Sequence, residues 1–360
     1  MASSAETAAM RRALDLAALG PRTGPNPRVG CVLLDDRGRT VSEGHHRGAG
    51  TPHAEAAALA ALAGDVPRGL TAVATLEPCT HTGRTGPCAQ ALLGAGVRRV
   101  VVAALDPNPA AAGGVQLLRS AGVEVETGVL AAEGEELNER WSTAVGRGRP
   151  WVTWKWAATL DGRSAAADGS SRWITGEQAR TDVHRLRGEH DAVLVGTGTA
   201  LTDDPALTVR DAQGRPAARQ PLRVVVGRRE LPAAAALHDG AAPLLHLRTD
   251  DLTAALAQLH DREVRTVLVE GGPTLAAALW RAGLVDEVVA YLAPALLGAG
   301  PAAVGDLGIG SIDAAARLHL RAVDRVGDDV RLTARPGPPG PTPPSPTPSS
   351  SSRPTHPQEA

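Results

Sequence analysis

Apolar positions along the chain recur with two alternating periods. Residues 28–34 (RVGCVLL) form a short apolar run of strand type, and residues 53–62 (HAEAAALAAL) carry helical spacing. A strand at 70–77, a helix at 88–96 ending on glycine, and a strand at 98–105 follow. A further helix and strand lie between 112 and 130, and a long helix runs from about 131 to 145. The alternation then restarts, with strands at 151–163, 191–196 and 221–227 and helices near 177–188 and 251–259. Residues 264–272 (VRTVLVEGG) read as a strand running straight into a helix at 273–283, followed by strands at 286–294, 318–322 and 329–333. Strand–helix alternation in both halves predicts two α/β domains, over residues 1–147 and 148–335, with GRGRP at 146–150 as the linker. Residues 336–360 (PGPPGPTPPSPTPSSSSRPTHPQEA) have too much Pro and Ser for a core or a ladder, and read as a disordered tail.

Composition narrows the functional classes. Of 360 residues, 43% are hydrophobic and 21% charged, so either half can bury a core. Lys+Arg 37 against Asp+Glu 39 leaves a net charge of −2, without the basic field that holds nucleic acid. No apolar run reaches the ~18–20 residues of a membrane span, and the N-terminal stretch does not read as a signal peptide. Three cysteines exclude a disulfide framework and favour a cytoplasmic protein; Cys31, mid-strand, reads as core. Lys155 is the only lysine among the 37 basic residues, which marks that position.

The first half carries candidate metal chemistry. His53 and Glu55 open a helix after Pro52, Cys79 follows a strand at Pro78, and Cys88 opens the next helix. One imidazole and two thiolates supply three ligands to Zn²⁺ and leave a fourth position for water, whose pKa zinc lowers to roughly 7. Glu55 is placed to take that water's proton and return it to the substrate. The order H-x-E, then P-C, then C is that of the zinc nucleobase deaminases, except that eight residues, not two, separate Cys79 from Cys88.

PNPRVGCVL (25–33), TPHAE (51–55), TLEPCTHTGRTGPC (75–88) and DPNP (106–109) together resemble the bacterial bifunctional deaminase/reductase family of riboflavin biosynthesis. The resemblance covers nearly the whole chain except the tail. It implies a cytidine-deaminase-like three-layer domain, with hydrolytic deamination of 2,5-diamino-6-ribosylamino-4(3H)-pyrimidinone 5′-phosphate. In matching positions Asn26 and His46 would contact the ring, and His81 and Arg84 would shape the pocket and its phosphate end. The family usually has T-P-P-C where this chain has Thr85-Gly86-Pro87-Cys88, so Gly86 loosens that loop.

The second half lacks G-x-G-x-x-G, so the usual dinucleotide fingerprint is missing. Its strand–Gly–helix junction at 268–278 and a second, Gly/Thr-rich strand end at 191–205 allow close approach of a phosphate-bearing ligand. WKWAATLDGR, DGSSRWIT (168–175), DDPALTVR (203–210) and VEGGPTLAAALW are similar to the reductase half of the same family. That similarity implies a dihydrofolate-reductase-like domain and hydride transfer to C1′ of the ribosylamine. Ala157, Trp173, Thr199, Asp203 and the segment Gly272, Pro273, Thr274, Leu275, Ala276, Ala277, Ala278 would hold NADPH. Ser171, Arg187, Leu207, Arg210 and Glu270 would hold the phosphoribosyl substrate. Sugar opening needs a cation or acid nearby, and Lys155 fits. Where the family usually carries Asp-Ser, this chain has Gly227 and Arg228, then Arg229; Arg228 is expected to clamp the 2′-phosphate.

The expected partners are a small-molecule pyrimidine ribotide and further copies of the same chain (a homo-oligomer), with no nucleic acid and no membrane. A nucleic-acid base deaminase with a degenerate second domain is the competing reading. The neutral charge balance, the long Cys–Cys gap and the retained reductase motifs weigh against it, and retention of Glu55 and Lys155 weighs against a non-catalytic scaffold.

Overall fold

The computed structural model describes residues 1–62, 67, 69–82 and 86–337, arranged around two sheets. The expected Pro/Ser tail lies, from residue 338 on, outside the described residues. The first sheet is built by α1 (Ser4–Ala18), β1 (Gly30–Leu34), β2 (Thr40–His45), α2 (Ala54–Ala60), β3 (Thr71–Leu76), α3 (Cys88–Gly94), β4 (Arg99–Ala104), α4 (Gly114–Ser120), β5 (Glu124–Thr127) and α5 (Ala131–Arg147). Strand order is β2-β1-β3-β4-β5, with β1 antiparallel to both neighbours and β3, β4 and β5 parallel. Every residue of β1 is buried because both faces of the sheet are covered. Met10, Ala13 and Leu16 of α1 pack on Val32, Val73 and Val101 on one face. On the other, Ala54, Ala58, Ala89, Leu92 and Leu118 from α2, α3 and α4 pack on Cys31, Leu33, Ala72 and Val100. Helix, sheet and helix thus make three layers, and Cys31 is core as expected.

The second sheet is built by β6 (Trp151–Thr159), α6 (Glu177–Gly188), β7 (Ala192–Gly196), α7 (Thr197–Asp203), β8 (Leu222–Val226), β9 (Leu244–Leu247), α8 (Leu252–Asp261), β10 (Thr266–Val269), α9 (Pro273–Arg281), β11 (Glu287–Ala293), β12 (Leu318–Val326) and β13 (Asp329–Pro336). Their order is β12-β13-β11-β6-β10-β7-β8-β9. The six strands from β11 to β9 are parallel, and the β12–β13 hairpin closes one edge antiparallel. α8 and α9 cover one face through Leu256, Leu259, Ala276 and Leu279. α6 and α7 cover the other through Ala179, Leu186 and Ala200, against Val193, Leu268 and Tyr291.

Two strands, one helix and one helix end depart from the sequence reading. β2 (TVSEGH) and β9 (LLHL) were not expected, because one is largely polar and the other only four residues long. TGTALTD, read as a Gly/Thr-rich strand end, is helix α7. α5 runs through Gly146 and Arg147 and ends at Gly148, which is left-handed at φ 63°. Residues 148–150 alone therefore connect it to β6. The junction is also pinned by ion pairs: Arg140 to Glu287 at 2.8 Å, and Arg147 and Arg149 each to Asp286 at 2.6 Å.

Candidate active sites

β3 delivers Glu77, Pro78 and Cys79 at its carboxyl end, and α2 and α3 begin beside them. His53 is the N-cap residue of α2 and Cys88 the first residue of α3. His53 Nδ1 stands 3.3 Å from Cys88 Sγ and 3.5 Å from Cys79 Sγ, and the three donor atoms lie within 4.8 Å of one another. The Cys88 backbone N–H points at Cys79 Sγ at 3.5 Å. A hydrogen bond from the Cys88 thiol, helped by His53 and by that backbone N–H, holds the Cys79 thiol down to about 4, while Cys88 is pushed up. One imidazole and two thiols, with one thiol already favouring its anion, form the N/S donor set that zinc takes, so the residues fit that ion.

Glu55, in the first turn of α2, is 3% exposed. Burial pushes its carboxyl up, and the neighbouring Cys79 adds to the effect. It opens onto a cavity of about 120 Å³ that His53, Cys79, Asn26, His46, His81 and Trp141 also line. The rim positions two of these tightly. His46 Nδ1–H donates to the Pro52 carbonyl at 3.0 Å, which leaves Nε2 to accept from Asn26 Nδ2–H at 3.0 Å. Burial lowers the pKa of His46, in keeping with a neutral ring. His81 is exposed at the cavity edge. Arg84 lies outside the described residues.

Three cavity features escaped the sequence reading. Glu77 is buried and accepts from the N–H groups of Gly113, Val115 and Asp106 at 2.9–3.2 Å, tying the strand end to α4. Gly114 makes that approach possible: a Cβ there would lie 1.7 Å from the Pro78 carbonyl oxygen. Asp106 and Asn108 face the cavity, and burial lifts the Asp106 carboxyl to about 6. DPNP was the available signal for them. Trp141 comes from α5, and nothing in its local pattern announced it.

The second site lies where the parallel strands end, the usual place for a ligand in such sheets. Lys155 of β6, Glu270 beyond β10 and Arg187 of α6 meet there. Arg187 donates Nε to Glu270 Oε1 at 2.5 Å and Nη2 to Oε2 at 3.0 Å, and Lys155 Nζ is 3.8 Å from that Oε2. Burial would raise Glu270, but the two cations hold it down to about 2. Burial lowers Lys155. Arg187 also donates to the Thr208 carbonyl at 3.0 Å, where Leu207 turns the backbone left-handed at φ 51° and buries its side chain. Arg210 is exposed and bonds Thr208 Oγ1 at 3.3 Å.

Among the expected cofactor residues, Thr199 Oγ1 accepts from the Gly272 N–H at 2.9 Å, joining the ends of β7 and β10. Ala157 is half-buried on β6 and pairs with Tyr291. Pro273 and Thr274 are exposed, Leu275 and Ala278 half-buried. Ala276 and Ala277 are core, and the Ala276 N–H is spent on the Gly272 carbonyl inside the helix. The accessible part of that segment is therefore 271–275. Ser171, Trp173 and Asp203 are exposed, with the Arg180 guanidinium 4.7 Å from the Trp173 ring. Arg228 pairs with Asp250 at 2.6 Å, and both side chains are largely exposed. Arg229, by contrast, reaches Thr197 Oγ1 at 3.4 Å. Gly227 has φ 127°, and a Cβ there would lie 2.8 Å from Thr197 Oγ1, so this backbone does not admit the family's aspartate.

Comparison with known proteins reaches both halves of the chain. Residues 3–104 match the cytidine and deoxycytidylate deaminase zinc-binding region, and residues 150–332 match the RibD C-terminal domain. The riboflavin biosynthesis protein RibD of Mycobacterium tuberculosis is 48% identical over 313 residues, covering 86% of this chain and 91% of that protein. This chain belongs to the RibD family. RibD of Escherichia coli is 41% identical, covering 90% of this chain and 97% of that protein. The solved structure of Acinetobacter baumannii RibD is 38% identical, with a TM-score of 0.84, covering 93% of this chain and 99% of that one. A Thermotoga maritima structure, described as a diaminohydroxyphosphoribosylaminopyrimidine deaminase/5-amino-6-(5-phosphoribosylamino)uracil reductase, is 33% identical with a TM-score of 0.81, covering 92% and 99%. As a RibD protein the chain is a bifunctional deaminase/reductase of riboflavin biosynthesis with a zinc-binding deaminase domain. The match through both halves removes the reading of a base deaminase with a degenerate second domain. Among the described residues no helix is long and apolar enough to cross a membrane.

Proposed function

We propose that this RibD chain removes the amino group of 2,5-diamino-6-ribosylamino-4(3H)-pyrimidinone 5′-phosphate by hydrolysis, then reduces its ribosyl group to ribityl with NADPH. The observation that carries the first step is the buried Glu55 carboxyl sharing one cavity with His53 and Cys79 of the His53/Cys79/Cys88 cluster and with Asn26 and His46. Zinc held by His53, Cys79 and Cys88 would supply the Lewis acidity that readies water for attack. Glu55 carries the water's two protons in turn, the first to the ring nitrogen as oxygen bonds to the ring carbon, the second to the amine as the C–N bond breaks and ammonia leaves. Its raised pKa suits a group that must both take and give at neutral pH. Asn26 and His46 hold the ring by hydrogen bonds, and His81 and Arg84 close the phosphate end.

In the second site NADPH supplies the hydride. Thr199, Asp203, Ala157, Trp173 and the accessible part of 272–278 cradle it, and Ser171, Arg187, Leu207, Arg210 and Glu270 hold the ribotide. Hydride reaches C1′ as the bond to the ring oxygen breaks, and Lys155 Nζ–H delivers the proton that oxygen needs. Burial lowers the pKa of Lys155, which makes it a better acid than an exposed lysine.

The free, reduced cysteines fit a cytoplasmic enzyme. Leu320 and Val323 of edge strand β12 are 63% and 61% exposed, an apolar edge that suits pairing with a second copy. The test is a coupled assay on the diaminopyrimidinone ribotide, following bound zinc, ammonia release and NADPH absorbance together. Ammonia without NADPH consumption, or neither, would refute the two-step assignment.

A further inference from the structure

Asp191 belongs to the reductase domain, just before β7, at the opposite end of the sheet from Lys155 and Glu270. Its Oδ2 accepts from the Arg265 N–H, the Thr266 N–H and Thr266 Oγ1, each at 3.0 Å. Its Oδ1 leaves the domain and accepts the N–H of Gly24 at 2.6 Å, with Arg219 Nη2 at 3.3 Å beside it. Gly24 immediately precedes Pro25 and Asn26, both of which line the deaminase cavity. This loop, between α1 and β1, has no ladder of its own. It is held by the Gly24 bond, by Trp141 Nε1–H to the Pro25 carbonyl at 2.7 Å, and by Asn26 against His46. Gly24 sits at φ 105°, a conformation glycine adopts freely, so at this point the chain itself does not fix the direction in which it enters Pro25.

We propose that Asp191 is a positioning residue for the deaminase: a reductase-domain carboxylate that sets the Pro25–Asn26 loop and with it the grip on the pyrimidine. The inference rests on the deaminase reading above. It gives the joining of two domains in one chain a physical role, because the deaminase recognition loop is finished by a residue its own domain does not contain. The same carboxylate also fastens β10 to β7, so the loop position follows the reductase sheet rigidly.

The test uses the full chain and Asp191→Asn. The amide keeps one acceptor oxygen and turns the other position into a donor. Three donors on the Thr266 side outnumber the Gly24 N–H and the more distant Arg219 Nη2, so the NH₂ faces Gly24 and the bond is lost. The expected result is a deaminase KM raised about tenfold, with kcat changed far less, as for removal of a charged hydrogen bond that only positions. Reductase kcat and KM on pre-deaminated substrate stay as in the parent, and amide exchange at residues 20–27 accelerates. Gly24→Ala strains the same loop from the deaminase side, with its Cβ in open space. It must raise the deaminase KM too, and the double variant must be no worse than the more severe single one. An unchanged deaminase KM in Gly24→Ala, whatever Asp191→Asn does, overturns the proposal. So do multiplying effects in the double variant. A parent enzyme that fails to deaminate the ribotide would instead overturn the functional assignment, while exchange at 20–27 would still report the loop anchor.

Discussion

Arg187 and Glu270 meet in a two-pronged ion pair, Nε to Oε1 at 2.5 Å and Nη2 to Oε2 at 3.0 Å, between α6 and the end of β10. Both side chains are largely buried, at 15% and 9% exposure, and the 3.8 Å approach of Lys155 adds a second cation to one carboxylate. The trio carries a net positive charge among largely buried side chains, which a phosphoribosyl group would balance.

The pair makes folding pH-dependent in a definite direction. Glu270 is held down to about 2, well below the ordinary carboxylate range. As pH falls below about 4, the unfolded chain binds a proton that the folded chain refuses, so the stability Glu270 contributes is lost on the way down to about 2, on the order of 3 kcal/mol in all. Glu270→Gln should flatten that part of the curve. Denaturant midpoints measured from pH 5 to the acid limit check it. A parent and variant with parallel curves would remove Glu270 from the acid transition.

Glu55→Gln should leave one zinc per chain bound and cut deaminase kcat by at least ~10²–10⁴-fold, since the amide cannot accept the proton. Reductase turnover on pre-deaminated substrate should be untouched, because Glu55 packs in the first sheet's core and no part of the second sheet depends on it. Zinc analysis beside the two separate assays decides this. Full deaminase activity in the variant would move the base elsewhere, and Asp106, lifted to about 6 in the same cavity, would be the group to test.

The zinc centre was legible in the sequence because its parts are local: H-x-E at one helix start, P-C at one strand end, a cysteine at the next helix start. Three short segments then only had to converge on adjacent β1 and β3, which long apolar runs announced. Trp141 and Asp191 were illegible for the opposite reason. Each acts on a loop more than 100 residues away, through a single bond to a backbone group whose position no side-chain pattern encodes. α7 was missed because Gly and Thr are poor helix formers, and Thr199 bonded to Gly272 is a tertiary reason for that turn to exist. Arg228 and Arg229 are neighbours in a strand-end turn, and their different partners, Asp250 and Thr197, follow a turn at Gly227 that composition does not reveal.

Lys155→Met separates chemistry from binding. The methionine fills similar volume, and Glu270 keeps Arg187, so the fold should hold. Hydride transfer should fall by ~10²-fold or more, as for loss of a positioned acid, while NADPH affinity changes little. Single-turnover absorbance gives the first quantity and fluorescence titration the second. If affinity drops and transfer survives, Lys155 is a cofactor ligand and the proton comes from another group.

Cofactor preference should rest on Arg229, not on Arg228. Arg228 is engaged by Asp250, and an exposed pair of this kind, 74% and 70% accessible, adds little to stability or to a neighbouring site. Arg229 instead lies along Thr197 and close to Gly198, at the same strand ends as Thr199 and Gly272. Gly198 leaves room there: even a methyl group would come within 3.3 Å of Arg229 Nη2. A guanidinium so placed can take a 2′-phosphate with two parallel hydrogen bonds, which NADH cannot offer. Arg229→Ala should therefore raise the KM for NADPH by about 1.5–3 kcal/mol in free-energy terms and leave that for NADH nearly unchanged. Arg228→Ala should alter neither, and steady-state kinetics with both cofactors on both variants measures the contrast. A selective loss in Arg228→Ala alone would mean that the Asp250 pair opens when the cofactor binds, and would return the clamp to Arg228.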